Sequence, residues 1–217
     1  LYSYFIEPGE NAVIPFTEGD GDYTVVGYQQ IQGDQYAALY SETLTVELEN
    51  EFLPFLYPNQ YVNFSPDSEA SKLALSMVSE DTSDIDALKQ IYNYVVNNLS
   101  YDYDKAETVE TGYLPDVDET LSTKTGICFD YAALTTAMLR SCDIPCKLQI
   151  GYTGDIKHAW IDVYIRSKGW VTGAVSFNGD SWSLMDPTFD SSADSDDTEA
   201  IQDYIGNADN YTVQFTR

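Results

Sequence analysis

A thiol, an imidazole and a carboxylate follow one another along this 217-residue chain: Cys128 in "TGICFDYAAL", His158 in "KHAWIDV" and Asp186 in "LMDPTF". A free thiol has a reference pKa of about 8.5 and is mostly protonated at neutral pH, so a cysteine that attacks a substrate needs help to become a thiolate. Cys128 stands behind a glycine where an apolar, alanine-rich segment begins, which predicts that it opens a helix. A helix start presents unpaired N–H groups and a partial positive charge, both of which favour a thiolate, and Gly126 lets the backbone approach closely just before it. The chain contains a single histidine. A working Cys–His pair is therefore Cys128 with His158, the imidazole taking the thiol proton and returning it to the leaving group. Asp186 is the carboxylate best placed in sequence order to hold the imidazole tautomer. Taken singly, a helical cysteine or a strand histidine more often packs than reacts. Their order is what carries the reading.

The elements that must position these groups are legible in outline. From about residue 20 to 50, β-branched and aromatic residues with the alternation Leu44, Val46, Leu48 predict extended structure. Pro54, Pro58 and Pro66 punctuate the stretch that follows. Ala70, Leu73, Ala74, Met77 and Val78 recur at helical spacing after Ser65 or Asp67, and a second amphipathic helix runs from Ser83 or Asp84 through Ile85, Leu88, Ile91, Tyr92, Val95 and Leu99. A third helix starts around Ile127 to Asp130 and ends before Pro145. Beyond it "KLQIGY", "HAWIDVYIR", "GWVTGAVSF" and "SWSLMDPTF" read as short strands. A β-rich segment, then helices, then antiparallel strands predict an α+β fold, divided into a β-rich segment of residues 1–65 and a catalytic domain of residues 66–217.

Composition narrows the partners. Lys+Arg of 10 against Asp+Glu of 36 leaves a net charge of −26, which repels phosphate backbones and anionic lipid, so neither nucleic acid nor a membrane surface is expected to bind. No apolar run reaches the length of about 18 residues that a membrane span needs, and "LYSYFIEPGE" does not read as a signal peptide. The 18 tyrosines and few lysines suit a secreted or cell-surface protein whose leader or anchor was trimmed. Three cysteines leave at least one thiol unpaired; Cys142 and Cys146 are read as reduced thiols in preference to a local disulfide. The acidic run "DSSADSDDTEA" fails as an EF-hand, since Ser195 stands where the loop needs Gly and Ile201 where it needs Glu, and reads as a solvated loop. No metal or cofactor follows from the residues.

The stretch from Leu121 to Phe189 resembles the transglutaminase-like superfamily of papain-type cysteine enzymes. The likeness rests on Gly126, Cys128, Asp130, Tyr131 and Ala132; on Ile144 and Pro145; on His158, Ala159 and Trp160; and on Trp182, Asp186, Pro187 and Thr188. The helix over 84–99 and the "SYD" after it extend the likeness to roughly residues 66–190. Two positions depart from the pattern: Asp143 stands where Gly usually precedes Ile-Pro, and Asp162 replaces a Glu. The resemblance implies a papain-like core, with a nucleophile helix packed on an antiparallel sheet that presents His158 and Asp186, and an oxyanion site that includes the Cys128 N–H. It implies acyl transfer or hydrolysis at amide bonds of a protein or peptide substrate, cell-wall components included, through a thioester. Trp160, sharing the His158 face of an alternating strand, and Tyr101 and Tyr103, ahead of the nucleophile helix, are candidate cleft residues. A surface binding module that keeps the cleft without turnover is the competing reading.

Overall fold

The computed structural model describes residues 1–172, 175–178, 181–184 and 211–217. Asp186 and the acidic run after it lie outside these residues. The chain opens with an extended segment and a long antiparallel hairpin, β1 (Gly21–Gln32) and β2 (Gln35–Val46), followed by a short 3-10 turn at Leu53–Phe55. Helix α1 (Glu69–Met77) follows, then α2 (Asp84–Asn98), whose first turn is capped by the Ser83 hydroxyl accepting from the Asp86 N–H. Strand β3 (Ser100–Tyr101) leads into α3 (Tyr103–Thr108) and α4 (Val117–Thr123). Strand β4 (Thr125–Gly126) pairs parallel with β3 and runs directly into α5 (Cys128–Ser141).

After α5 the chain turns sharply. The N–H of Ile144 bonds the Leu139 carbonyl and that of Asp143 the Arg140 carbonyl, with Asp143 in the left-handed region at φ 57°. This double bond is a Schellman closure. The sheet that follows contains β5 (Cys146–Thr153), β6 (Ile156–Ile165) and β7 (Gly169–Thr172) in antiparallel sequence, with β10 (Tyr211–Thr216) pairing antiparallel to the outer edge of β5. Strands β8 (Val175–Asn178) and β9 (Ser181–Leu184) form a separate hairpin.

The core lies between the helices and one face of this sheet. Ala70 and Ala74 of α1, Leu88, Ile91 and Val95 of α2, Leu134 and Met138 of α5, and Leu148, Ile161 and Val163 of the sheet form one buried cluster. Each large aliphatic side chain so buried contributes roughly 1.5–3 kcal/mol. Helix α5 is its centre, with every residue from Asp130 to Arg140 buried. That is why its sequence is apolar and small-residue rich instead of showing one apolar stripe. No helix among the described residues is long and apolar enough to cross a membrane.

Candidate active site

Cys128 is the first residue of α5 and half-buried, at the edge of the core that the rest of the helix fills. The geometry of this turn is set by its neighbours. Ile127 is extended, and its N–H donates to Asp130 Oδ2 at 2.8 Å, so a carboxylate one turn into the helix caps the residue before the thiol. Gly126 makes room for that carboxylate: a Cβ there would stand 2.6 Å from the Asp130 Cβ and 3.0 Å from its Oδ2. The Gly-x-Cys-x-Asp spacing is therefore a packing requirement. At the first helical position the Cys128 N–H has no intrahelical acceptor and is available to a developing oxyanion.

The "SYD" segment braces the same turn. Ser100 N–H bonds the Lys124 carbonyl and Asp102 N–H the Gly126 carbonyl, both at 2.9 Å, while the Asp102 side chain caps α3 by accepting from the Lys105 N–H at 2.8 Å. Helix α3 thereby delivers Lys105 to the buried Asp130, Nζ to Oδ2 at 2.8 Å. Tyr113, from the loop after α3, donates to Asp130 Oδ1 at 2.5 Å and accepts from Lys105 Nζ at 2.7 Å. Burial, with the Asp130 carboxylate beside it, pushes the Tyr113 phenol up to about 12. Burial pulls the Lys105 ammonium down, but Asp130 and Tyr113 outweigh it and hold the group above its ordinary value. A cavity of about 290 Å³ opens beside this cluster, lined by Asp102, Lys105, Tyr113, Glu119 and Thr125 among others. Neither Lys105 nor Tyr113 carries a sequence signal, because their partner is brought to them by tertiary packing.

His158 is the third residue of β6, buried, and paired in register with Gly151 of β5. Gly151 has no room for a side chain: a Cβ would fall 1.9 Å from the Thr212 carbonyl oxygen and 2.9 Å from Trp160. Alternation along β6 sets Ala159, Ile161 and Val163 in the core beneath α5, with His158, Trp160 and Asp162 on the other face. Trp160 is fully buried, its ring stacked near His158 with 6.3 Å between centroids and tilted against Tyr211 at 5.0 Å. Asp162 is buried and accepts from Gln149 Nε2 at 2.7 Å, and Gln149 Oε1 in turn accepts from the Thr216 hydroxyl at 2.8 Å. The structure thus puts Cys128 and His158 on two elements that pack against each other, α5 and β6. Asp186 is outside the described residues.

Tyr101 is half-buried, its ring 4.9 Å from Tyr103 and 6.4 Å from Tyr131 of α5, while Tyr103 is exposed. All three cysteines are free thiols. Burial pushes Cys142 up to about 11 and Cys146 up to about 12. A larger groove, about 790 Å³, lies between the N-terminal segment and the body, with Phe5, Val13, Gln60, Phe64, Leu114 and Asp118 among its walls; neither Cys128 nor His158 lines it.

A cysteine at the start of a central helix, packed on an antiparallel sheet that carries the chain's histidine, is the arrangement of the papain-type cysteine enzymes. Residues 71–173, a stretch that holds both Cys128 and His158, match the family model of the transglutaminase-like superfamily. The chain is similar to the uncharacterized protein YebA of Bacillus subtilis, 24% identical over 183 residues that cover 74% of this chain and 25% of YebA. It is also similar to the UPF0252 protein MJ1282 of Methanocaldococcus jannaschii, 40% identical over 62 residues, 26% of this chain and 18% of that protein. The chain thus spans about a quarter or less of the length of these curated relatives. Among solved structures, a proposed cysteine protease of Cytophaga hutchinsonii shares the fold at TM-score 0.51 and 16% identity, over 96% of this chain and 74% of that one.

Proposed function

We propose that the chain is a cysteine-dependent enzyme acting at amide bonds of protein or peptide substrates, with Cys128 as nucleophile, His158 as general base and acid, and Asp186 orienting the imidazole. The observation that carries this reading is the built first turn of α5, where Gly126 and Asp130 fix a half-buried thiol at a helix start within a transglutaminase-like domain. His158 takes the thiol proton, and the thiolate sulfur bonds to the substrate carbonyl carbon. The carbonyl oxygen gains the electron pair and is held by the Cys128 N–H. Collapse of this adduct breaks the C–N bond as the imidazolium returns its proton to the leaving amine, which leaves a thioester. Water then releases an acid, or an amine a new amide; hydrolysis is the reading we favour. We place the reaction outside the cytoplasm, on protein, peptide or cell-wall material, in keeping with the acidic, tyrosine-rich and lysine-poor composition.

Iodoacetamide labelling, followed cysteine by cysteine through peptide masses, tests the nucleophile. At pH 7 Cys128 is expected to label at least about tenfold faster than free cysteine, and His158→Ala to abolish that advantage. Burial keeps Cys142 and Cys146 slow at this pH, so the fast phase belongs to one thiol. Equal, slow labelling of Cys128 in both proteins would favour a binding module that keeps the cleft without turnover.

A further inference from the structure

We propose that Lys105 is a positioning residue for Cys128: by pairing with Asp130 it cancels the negative charge that the first turn of α5 holds two residues beyond the thiol. This rests on Cys128 being the nucleophile. Asp130 has two consequences that pull in opposite directions. Its carboxylate fixes the turn by accepting from the Ile127 N–H, the residue immediately before the cysteine. The same negative charge, two residues beyond Cys128, opposes formation of a thiolate and offsets the helix dipole. A neutral donor would satisfy the carboxylate's geometry and leave its charge in place. Lys105 satisfies the geometry and removes the charge, at 2.8 Å from a carboxylate with no solvent exposure.

The surroundings are consistent with this division of labour. Helix α3 has no fully buried residue of its own and is held by its Asp102 cap, by the Tyr103 ring against Tyr101 and by the Lys105 contacts, of which the ammonium is the one that reaches Asp130. Tyr113 joins both partners, with Lys105 Nζ also 4.4 Å above its ring centroid, and keeps the pair aligned without adding charge. The acidic groups that line the adjoining cavity with Lys105 are Asp102, at the cap of α3, and Glu119, on α4. Lys105 meets Asp130 directly as a cation.

The test is the pH–rate profile of iodoacetamide labelling at Cys128 in wild type, Lys105→Met, Asp130→Asn and the double variant, with thermal unfolding recorded for each. Lys105→Met is expected to move the midpoint up by about one pH unit and to slow labelling at pH 7 by up to about tenfold. Asp130→Asn, which keeps an acceptor for the Ile127 N–H and leaves Lys105 unneutralised, moves the midpoint down. The double variant returns close to wild type. Opposite signs that cancel are what charge coupling requires, whereas loosening of the turn displaces both single variants the same way. Single variants that shift together, or a Lys105→Met profile that superimposes on wild type, overturn the proposal. Should Lys105→Met not fold, the downward shift of Asp130→Asn decides by its presence or absence. A wild-type profile equal to that of free cysteine and indifferent to His158→Ala overturns the nucleophile reading and this inference with it; a displaced wild type with flat variants overturns this inference alone.

Discussion

Asp143 ends the nucleophile helix in a conformation that L-residues adopt at a cost. With φ at 57° it occupies the position after the helix cap where a Schellman closure favours glycine, and where the superfamily pattern usually has one. Aspartate tolerates the left-handed region better than most residues, which is how the closure survives here. Asp143→Gly is expected to stabilise the fold by about 0.5–1 kcal/mol, the relieved strain outweighing the added freedom of the unfolded chain. A urea titration that shows a loss would mean that the aspartate side chain makes a contact worth more than the strain. The same position shows how far residues can be read in isolation. The missing glycine before Ile-Pro is visible in sequence as a departure at a turn, and Gly126 and Cys128 are visible as a helix start. The reason for Gly126 is not visible: it is the Asp130 side chain folded back against it, 2.6 Å from where a Cβ would be. Lys105 and Tyr113 are equally silent, since each meets Asp130 through a fold that sequence spacing does not encode.

Among the elements, α1, α2 and α5 were legible because each is long enough to show a period or a cap; α2 and α5 fall within a residue or two of the pattern, while α1 starts after Ser68 and not after the expected Ser65 or Asp67. Helices α3 and α4 span 6 and 7 residues, too short for a period to emerge, and both are held by aspartate caps, Asp102 and Asp116, that look in sequence like ordinary polar residues. Strand β10 was not expected as a sheet partner, because its pairing with β5 joins distant parts of the chain. One junction between elements carries a pH signature. Asp84 opens α2 and accepts from the Arg166 guanidinium at 2.6–3.1 Å and from the Arg166 N–H at 3.0 Å, which ties the helix start to the turn after β6. Burial raises the Asp84 carboxyl, but Arg166 outweighs it and holds the group below its ordinary value. A carboxyl depressed in the folded state stabilises above its unfolded pKa, and that contribution fades as pH falls through the folded value. Arg166 is well exposed, so water and salt screen the pair, and Asp84→Asn is expected to cost only about 1 kcal/mol at pH 7. As pH falls below the ordinary carboxylate range the difference from wild type shrinks, because Asp84 then becomes neutral like the asparagine. Urea midpoints of the two proteins at pH 7 and pH 3 check this, and a gap of the same size at both values would assign the loss to something other than the ion pair.

At the scale of the molecule, the first 62 residues divide into parts with different attachments. The opening segment is strapped to the body: the Arg217 guanidinium lies 4.3 Å from the ring centroids of both Tyr2 and Tyr61 and 5.1 Å from that of Tyr4, the Tyr61 hydroxyl donates to the Ser3 carbonyl at 2.5 Å, and the Gln60 amide bonds Phe5 at both its N–H and its carbonyl. Phe55 and Val62 are buried with the body, Val62 in the main core cluster. The hairpin between them is different. No side chain of β1 or β2 is fully buried, and Tyr28, Ile31, Tyr36, Leu39 and Tyr40 are exposed. Its two ends meet, since Gly21 pairs with Val46 and Asp20 accepts from the Leu48 N–H at 2.7 Å, so the strands leave and rejoin the body at one point. A two-stranded ribbon is marginal alone, and one that contributes no fully buried side chain adds little to the stability of what it projects from. Replacing residues 22–45 by a short Gly-Ser bridge is therefore expected to change the melting temperature by less than about 3 °C, because the loop that closes is short and the core is untouched. Cys128 labelling should be unaltered by the same deletion. A drop of 10 °C or more would show that the ribbon packs on the body in solution, whereas retained stability with loss of turnover on protein substrates would assign the ribbon's exposed aromatic and aliphatic side chains to substrate engagement.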